Sequence, residues 1–219
     1  RTLEMNIMKV EIIISVINML FVFVVTYLLT PIIINKSNKL NMLDKPNDRK
    51  QHQKAIPRLG GISMFIGFFI PTFIFLKFIY PISLSKDINS LLIITLLGAT
   101  SFFIIGLFDD LFKYYSPWGR LFFQSLVTIF AWLLGLKIQV INLSFLGFSY
   151  DSYALPSFLS LILTLIWFVG ITNSINWIDG LDGLAAGFVG IASVGIGLIS
   201  CLSGNYENCL LSLGIASCC

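Results

Sequence analysis

Charge is what this sequence has least of. Only 11% of its 219 residues are Asp, Glu, Lys or Arg, whereas 57% are hydrophobic. A mean hydropathy of +0.90 excludes an ordinary soluble domain of this length, because uncharged apolar runs of about 18 residues or more read as membrane spans. Apolar–polar alternation over segments of about ten residues is also lacking, which excludes a transmembrane β-barrel. No small-residue cleavage site follows the first apolar run, Ile12–Ile34, and that run is too long for the core of a signal peptide. A first span is expected there instead. Cysteine is absent before Cys201. The four that follow (Cys201, Cys209, Cys218 and Cys219) have neither zinc-site spacing nor the pattern of a disulfide framework. They are expected to be small apolar helix residues.

What remains is a series of uncharged runs: Ile12–Ile34, Leu59–Leu76, Leu91–Phe108, Leu121–Leu136, Ala154–Thr172, Leu184–Leu202 and the short Cys209–Cys219. The expected fold class is all-α. It is a polytopic bundle of six complete spans and a truncated seventh, forming one integral membrane domain over residues 1–219. The last run, at eleven residues and about 16 Å as a helix, cannot cross a core of about 30 Å, so the packing around it is expected to be lost. The segment 138–156 alternates loosely and is expected to form an extracytoplasmic hairpin on the bilayer surface.

With helical spans, the connections 35–58, 109–120 and 173–183 share one side of the membrane. They hold nine basic residues, Lys36, Lys39, Lys45, Arg49, Lys50, Lys54, Arg58, Lys113 and Arg120, against five on the other side. Basic residues mark the cytoplasmic side, so these three connections are expected to face the cytoplasm. Polar segments far apart in sequence can therefore build one site.

The first is "GLFDDLFK", 106–113. Asp109 and Asp110 end a span, and adjacent carboxylates beside hydrocarbon call for a divalent cation or a cationic partner. Lys113, one turn on, offers a point charge for phosphate. A solvated helix end would also account for the pair alone. The D-D-x-x-D pattern of prenyl-diphosphate enzymes fails, since Lys113 stands in its fifth place.

The second is "NSINWIDGLDG", 173–183, between two uncharged runs. Asn173, Asn176, Asp179 and Asp182 recur every third residue, a set that winds around an α-helix and shares one side only in a 3₁₀ or broken segment. Gly180 and Gly183 permit such a break. Two amides and two carboxylates suit a metal–diphosphate or a sugar nucleotide. The D-G-x-x-A-R pattern of CDP-alcohol phosphotransferases is excluded, because no Arg follows Asp182-Gly183.

The third, "DKPNDRKQHQKAIPRLGG", 44–61, combines Asp44, Arg49, Lys50, the sole histidine His52, and Arg58 before a Gly-started helix. Basic side chains and open backbone N–H groups there can hold phosphate. A loop that only fixes topology is the plainer reading of its Lys and Arg residues.

Together these segments resemble the polyprenyl-phosphate N-acetylhexosamine-1-phosphate transferases, the glycosyltransferase family 4 group. The resemblance covers residues 44–187, in the family's order, and "PRLGG" looks like the N-acetylglucosaminyl branch. It implies transfer of N-acetylhexosamine 1-phosphate from a UDP-sugar to undecaprenyl or another polyprenyl phosphate, with release of UMP, at the cytoplasmic face of a bacterial inner membrane. Cell-envelope polysaccharide, lipopolysaccharide or teichoic acid synthesis would be its setting. By the same resemblance Asp109, Asp110, Asp179 and Asp182 are the catalytic residues, and Asp179 and Asp182 hold Mg²⁺, with Mn²⁺ as the alternative. Asp44, Arg49, Lys50, His52, Arg58, Lys113, Asn173 and Asn176 bind substrate. A homodimer is compatible with this reading, and no nucleic acid is expected as a partner.

The family also carries a further metal-binding Asp in F-M-G-D-x-G-S and a His-rich loop, both expected beyond Cys219. The chain is therefore expected to be the N-terminal part of a longer transferase, inserted in the membrane but inactive alone. A muramoyl-pentapeptide transferase is the alternative within the family. A secondary transporter is the alternative from another class, although transporters place key residues near the midplane in repeated halves. The acids here lie at span ends.

Overall fold

In the computed structural model the protein is described over residues 2–44, 56–79, 86–112, 116–142, 152–181 and 183–219. Seven α-helices dominate it: α1 (Thr2–Lys39), α2 (Gly60–Ile74), α3 (Lys86–Leu111), α4 (Pro117–Leu133), α5 (Ser157–Ile178), α6 (Leu184–Leu202) and α7 (Tyr206–Cys218). A π-helical turn, Phe75–Ile79, prolongs α2. Each helix grows from one of the uncharged runs, since a segment in hydrocarbon must satisfy its backbone groups internally.

Among the described residues, five helices are long and apolar enough to cross a bilayer: Lys9–Lys39, Gly60–Lys77, Leu91–Leu111, Ser157–Ile178 and Leu184–Leu202. The expected fourth span corresponds to α4, whose 17 residues extend about 26 Å and fall just below that length. The distribution of side chains is inverted relative to a soluble protein. Asn18, Ser37, Thr72, Thr128 and Thr164 are fully buried, whereas Phe122, Phe130, Ile166, Ile191 and Leu202 are exposed. Lipid tails on the outside account for both halves of that pattern.

Two compact units emerge. The first comprises Arg1–Ser83 and Ile178–Cys219. Helix α1 ends at Lys39, and the turn that follows contains Asn41, whose φ of 53° is left-handed, a conformation Asn tolerates. Strand β1 (Leu43–Asp44) then pairs antiparallel with β2 (Ile56–Pro57), and the Arg58 N–H donates to the Met42 carbonyl at 3.1 Å. This short ladder closes the base of the basic loop and leads directly into α2.

Helices α1 and α2 meet at Gly67. A Cβ there would collide with Thr26 of α1, so only glycine permits the approach. Nearby, the hydroxyls of Thr30 and Ser63 lie 3.2 Å apart. Helix α7 packs through Gly214 against Phe68 and Asn18, and the Asn18 amide donates to the Leu210 carbonyl at 3.5 Å. Close backbone approach at small residues is the usual means of holding helices together in lipid.

The cysteine expectation needs correction here. A turn at Ser203–Asn205, with Gly204 at φ 73°, folds α7 back on α6, and Cys201 and Cys209 are joined as a disulfide with a Cα–Cα distance of 5.4 Å. Cys218 and Cys219 remain thiols. The last apolar run is also better packed than its length suggested, because Cys209 and Leu210 have no solvent exposure. Short as it is, α7 has α1, α2 and α6 to lean on.

The second unit is Leu84–Trp177, containing α3, α4 and α5. Gln124, Thr128 and Ala131 form the buried stripe of α4, at positions that share one face of a helix. At one end the Trp132 indole N–H donates to Ser160 at 3.0 Å, and the Ser160 hydroxyl donates to the Ile138 carbonyl at 2.6 Å. The Ile138 N–H in turn donates to Thr164 at 3.1 Å. These bonds secure the segment where β3 (Val140–Ile141) pairs antiparallel with β4 (Tyr153–Ala154), the hairpin expected over 138–156.

Candidate active site

Helix α3 does not stop where its apolar residues do. It continues through Asp109 and Asp110 to Leu111, so consecutive carboxylates project about 100° apart around the axis. Asp109 is half-buried and Asp110 is exposed. After residues 113–115, Pro117 starts α4, a position that suits its missing N–H. One turn later α4 presents Arg120.

The Arg120 guanidinium joins three helices. Its Nη1 lies 2.7 Å from the Asp109 Oδ2 and 3.4 Å from the Asn176 Oδ1 on α5. The pair is partly shielded, with 18% of the arginine and 32% of the aspartate side chain exposed. A hydrogen bond to a charged group of this kind contributes about 1.5–3 kcal/mol. The Arg120 Nε–H is buried and finds no acceptor among the described residues. One turn deeper, Gln124 of α4 accepts from the Asn173 amide at 2.7 Å, and that amide also donates to the Val169 carbonyl at 2.8 Å. The result is a polar ladder, Asp109–Arg120–Asn176 above Gln124–Asn173, at one end of an otherwise apolar unit.

Asn173 and Asn176 therefore belong to regular α-helix. The break comes after them. Helix α5 ends at Ile178, Asp179 sits exposed in a tight turn whose Gly180 N–H returns to the Ile178 carbonyl at 2.7 Å, and Gly183 at φ 77° starts α6. The chain breaks between α5 and α6, after the two asparagines. Asp44 lies in β1, paired with Ile56, and Arg58 in the turn before α2. The expected site residues Arg49, Lys50, His52, Lys113 and Asp182 lie outside the described residues.

Among the described residues, the carboxylates of Asp109, Asp110 and Asp179 are hard oxygen donors, the chemistry that Mg²⁺ takes. Asp109 faces an arginine already, and among the described residues no three His, Cys, Asp or Glu side chains cluster. Asp110 and Asp179 are the exposed ones of the three aspartates.

Two residues of this ladder carried no role in the sequence reading. Arg120 counted only as a loop charge, and Gln124 was silent inside an apolar run. The signal for Arg120 was present, because an adjacent acidic pair beside hydrocarbon needs a cation and Arg120 is the next basic residue after Lys113.

Residues 92–219 match the model of glycosyl transferase family 4. The chain belongs to that family. Among its relatives, a probable undecaprenyl-phosphate N-acetylglucosaminyl 1-phosphate transferase of Bacillus subtilis is 32% identical over 79% of this chain and 45% of the relative. An undecaprenyl-phosphate alpha-N-acetylglucosaminyl 1-phosphate transferase of Thermotoga maritima is 27% identical over 87% of this chain and 57% of the relative. A phospho-N-acetylmuramoyl-pentapeptide-transferase of Prochlorococcus marinus is 33% identical over 75% and 46%. The chain spans about half the length of the curated relatives it matches. Within this glycosyl transferase family 4 chain, the matched region contains the Asp109–Arg120–Asn176 ladder and Asp179 but not the basic loop before α2.

Proposed function

We propose that the protein transfers N-acetylglucosamine 1-phosphate from its UDP donor to undecaprenyl or another polyprenyl phosphate, releasing UMP and beginning a cell-envelope polysaccharide. The observation that carries this reading is Arg120, fixed between Asp109 and Asn176 in a family of membrane transferases. In this proposal six helices cross a bacterial inner membrane, and the acidic and basic helix ends face the cytoplasm, where nucleotide sugars are made.

The reaction forms a bond from a lipid-phosphate oxygen to the sugar-linked phosphorus, and breaks the bond from that phosphorus to UMP. Such transfer depends on positioning and charge neutralisation more than on covalent help from the protein. Asp109, engaged by Arg120, serves as an oriented anion and not as a ready base. The lipid phosphate scarcely needs one, because its second pKa of about 6 leaves it mostly dianionic at pH 7. Arg120 would turn its guanidinium to a phosphate oxygen, and Asn173 and Asn176 would place amides along the donor. Asp179 and Asp182 would hold Mg²⁺ or Mn²⁺, which supplies charge neutralisation at the diphosphate when bound. Asp44, Arg49, Lys50, His52, Arg58 and Lys113 would supply the surrounding polar and cationic wall.

A second donor has support from the Prochlorococcus relative, whose name gives a muramoyl-pentapeptide substrate. The motif "PRLGG" before α2 favours N-acetylglucosamine. The test is UMP release by the whole gene product, purified in detergent and supplied with undecaprenyl phosphate and either UDP-N-acetylglucosamine or UDP-N-acetylmuramoyl-pentapeptide. Turnover with the first donor alone, abolished by EDTA and restored by Mg²⁺, is expected. Turnover only with the second would transfer the protein to the muramoyl branch, and none with either would refute the assignment.

A further inference from the structure

We infer that Cys201 and Cys209 are an oxidative modification site on the extracytoplasmic surface, where their disulfide clasps α7 onto α6. Two independent observations converge. Cys201 and Cys209 flank the turn Ser203–Asn205 with Cα atoms 5.4 Å apart, within the range a disulfide bridges without backbone movement. Separately, the turn lies at the opposite end of the spanning helix α6 from Asp179, about 28 Å along its axis. The excess of Lys and Arg puts the Asp179 end in the cytoplasm, so the cysteine end faces outward. Disulfides persist on that side and are reduced on the other.

The turn is built to hold the pair in place. Gly204 takes φ 73°, the Asn205 N–H donates to the Ser200 carbonyl at 2.9 Å, and the Asn205 side chain accepts from the Asn208 N–H at 3.3 Å. Access differs between the two sulfurs. Cys209 has no exposure and Cys201 is half-buried. Cys201 is therefore the attacking thiolate. It displaces one sulfur from the disulfide of an extracytoplasmic thiol–disulfide oxidant, giving a mixed disulfide. Cys209 then attacks the Cys201 sulfur, and the oxidant leaves as a dithiol carrying the two protons. Burial of Cys209 is no obstacle, because its only partner is eight residues away in the same hairpin. The bond lies at the root of the α7 packing, next to Leu210, whose carbonyl receives the buried Asn18 amide.

This inference shares the assignment of sides with the proposed active site and is independent of the transferase chemistry. The test uses the whole gene product in its own membranes, with Cys218→Ser, Cys219→Ser and every other cysteine replaced except Cys201 and Cys209. After acid quenching and denaturation, a polymer-tagged maleimide should add nothing before reduction and two tags after it. A charged, membrane-impermeant phosphine applied to intact cells should open the bond. Cys201→Ser should lower the melting temperature in detergent by several degrees. Two tags without reduction would overturn the modification and leave the transferase reading intact. A bond that opens only after lysis would overturn the outward placement, and with it the sidedness on which the proposed site rests. An unchanged melting temperature would overturn the clasp.

Discussion

Arg120 shows how much of a site hangs on one side chain, and why that side chain was hard to see. Its partners lie 11 and 56 residues away, and no spacing rule links a helix end, the next helix start and a third helix end. Asp109, Asp110, Asn173, Asn176 and Asp179 were legible as polar residues where hydrocarbon should be, whereas Arg120 was ordinary beside a loop. In the whole gene product, Asp109→Asn and Asp110→Asn should each lower turnover by about 10²-fold, as for lost electrostatic positioning. Asp87→Asn, at the opposite end of α3, should leave it unchanged. Near-normal UMP release from both variants of the pair would remove them from the mechanism. Arg120→Lys is the more discriminating change. A lysine keeps the charge but cannot present a planar fork to Asp109 and Asn176 together. It should retain more activity than Arg120→Ala yet well below wild type, with the loss in kcat exceeding that in KM. Equal activity of Arg120→Lys and wild type would reduce Arg120 to a source of charge.

At the scale of elements, the uncharged runs gave the helices but not their bounds. Helices α1, α3 and α5 run past their apolar residues into Lys39, Asp110 and Asn176, because a helix that satisfies its own backbone need not end where the hydrocarbon does. The Cys201–Cys209 pairing was illegible for a related reason, since eight residues mean nothing until a turn is placed between them. The contact between α1 and α2 offers a direct test. Gly67→Ala would drive a Cβ into Thr26 and should destabilise the detergent-solubilised protein by about 1–3 kcal/mol. Gly98→Ala in α3, with open space around it, should be neutral or slightly stabilising. Similar melting temperatures for the two variants would mean that α1 and α2 do not meet there. Helix α7 adds a pH dependence. Burial, and then the Glu11 carboxylate, raise the Glu207 carboxyl above its ordinary value. A carboxyl raised in the folded state favours folding fully below its unfolded pKa, and the benefit is lost as pH rises through the folded value. Glu207→Gln should therefore raise the melting temperature at neutral pH and change it little near pH 4. A lower melting temperature at neutral pH would contradict the like-charge contact.

The whole molecule was the most legible level, because solvent acts on every residue at once. A chain this poor in charge has only lipid to face, and the buried hydroxyls and amides inside exposed apolar helices follow from that. Sidedness is a subtler property, resting on nine basic residues against five, seven of the nine in one loop. That imbalance has mechanical meaning for the proposed reaction. Ser116 begins the α4 turn carrying Arg120, and Ser174 lies on α5 between Asn173 and Asn176. Both are exposed, so each reports the side on which the Asp109–Arg120–Asn176 ladder opens. A nucleotide-sugar donor restricted to the cytoplasm demands that both open inward. Single cysteines at these two positions, in a cysteine-free background, should react with an impermeant maleimide in inside-out vesicles and remain unlabelled in intact cells. Labelling of either one from outside intact cells would place the ladder where no UDP-sugar could reach it. The excess of basic residues would then have misassigned the cytoplasmic face.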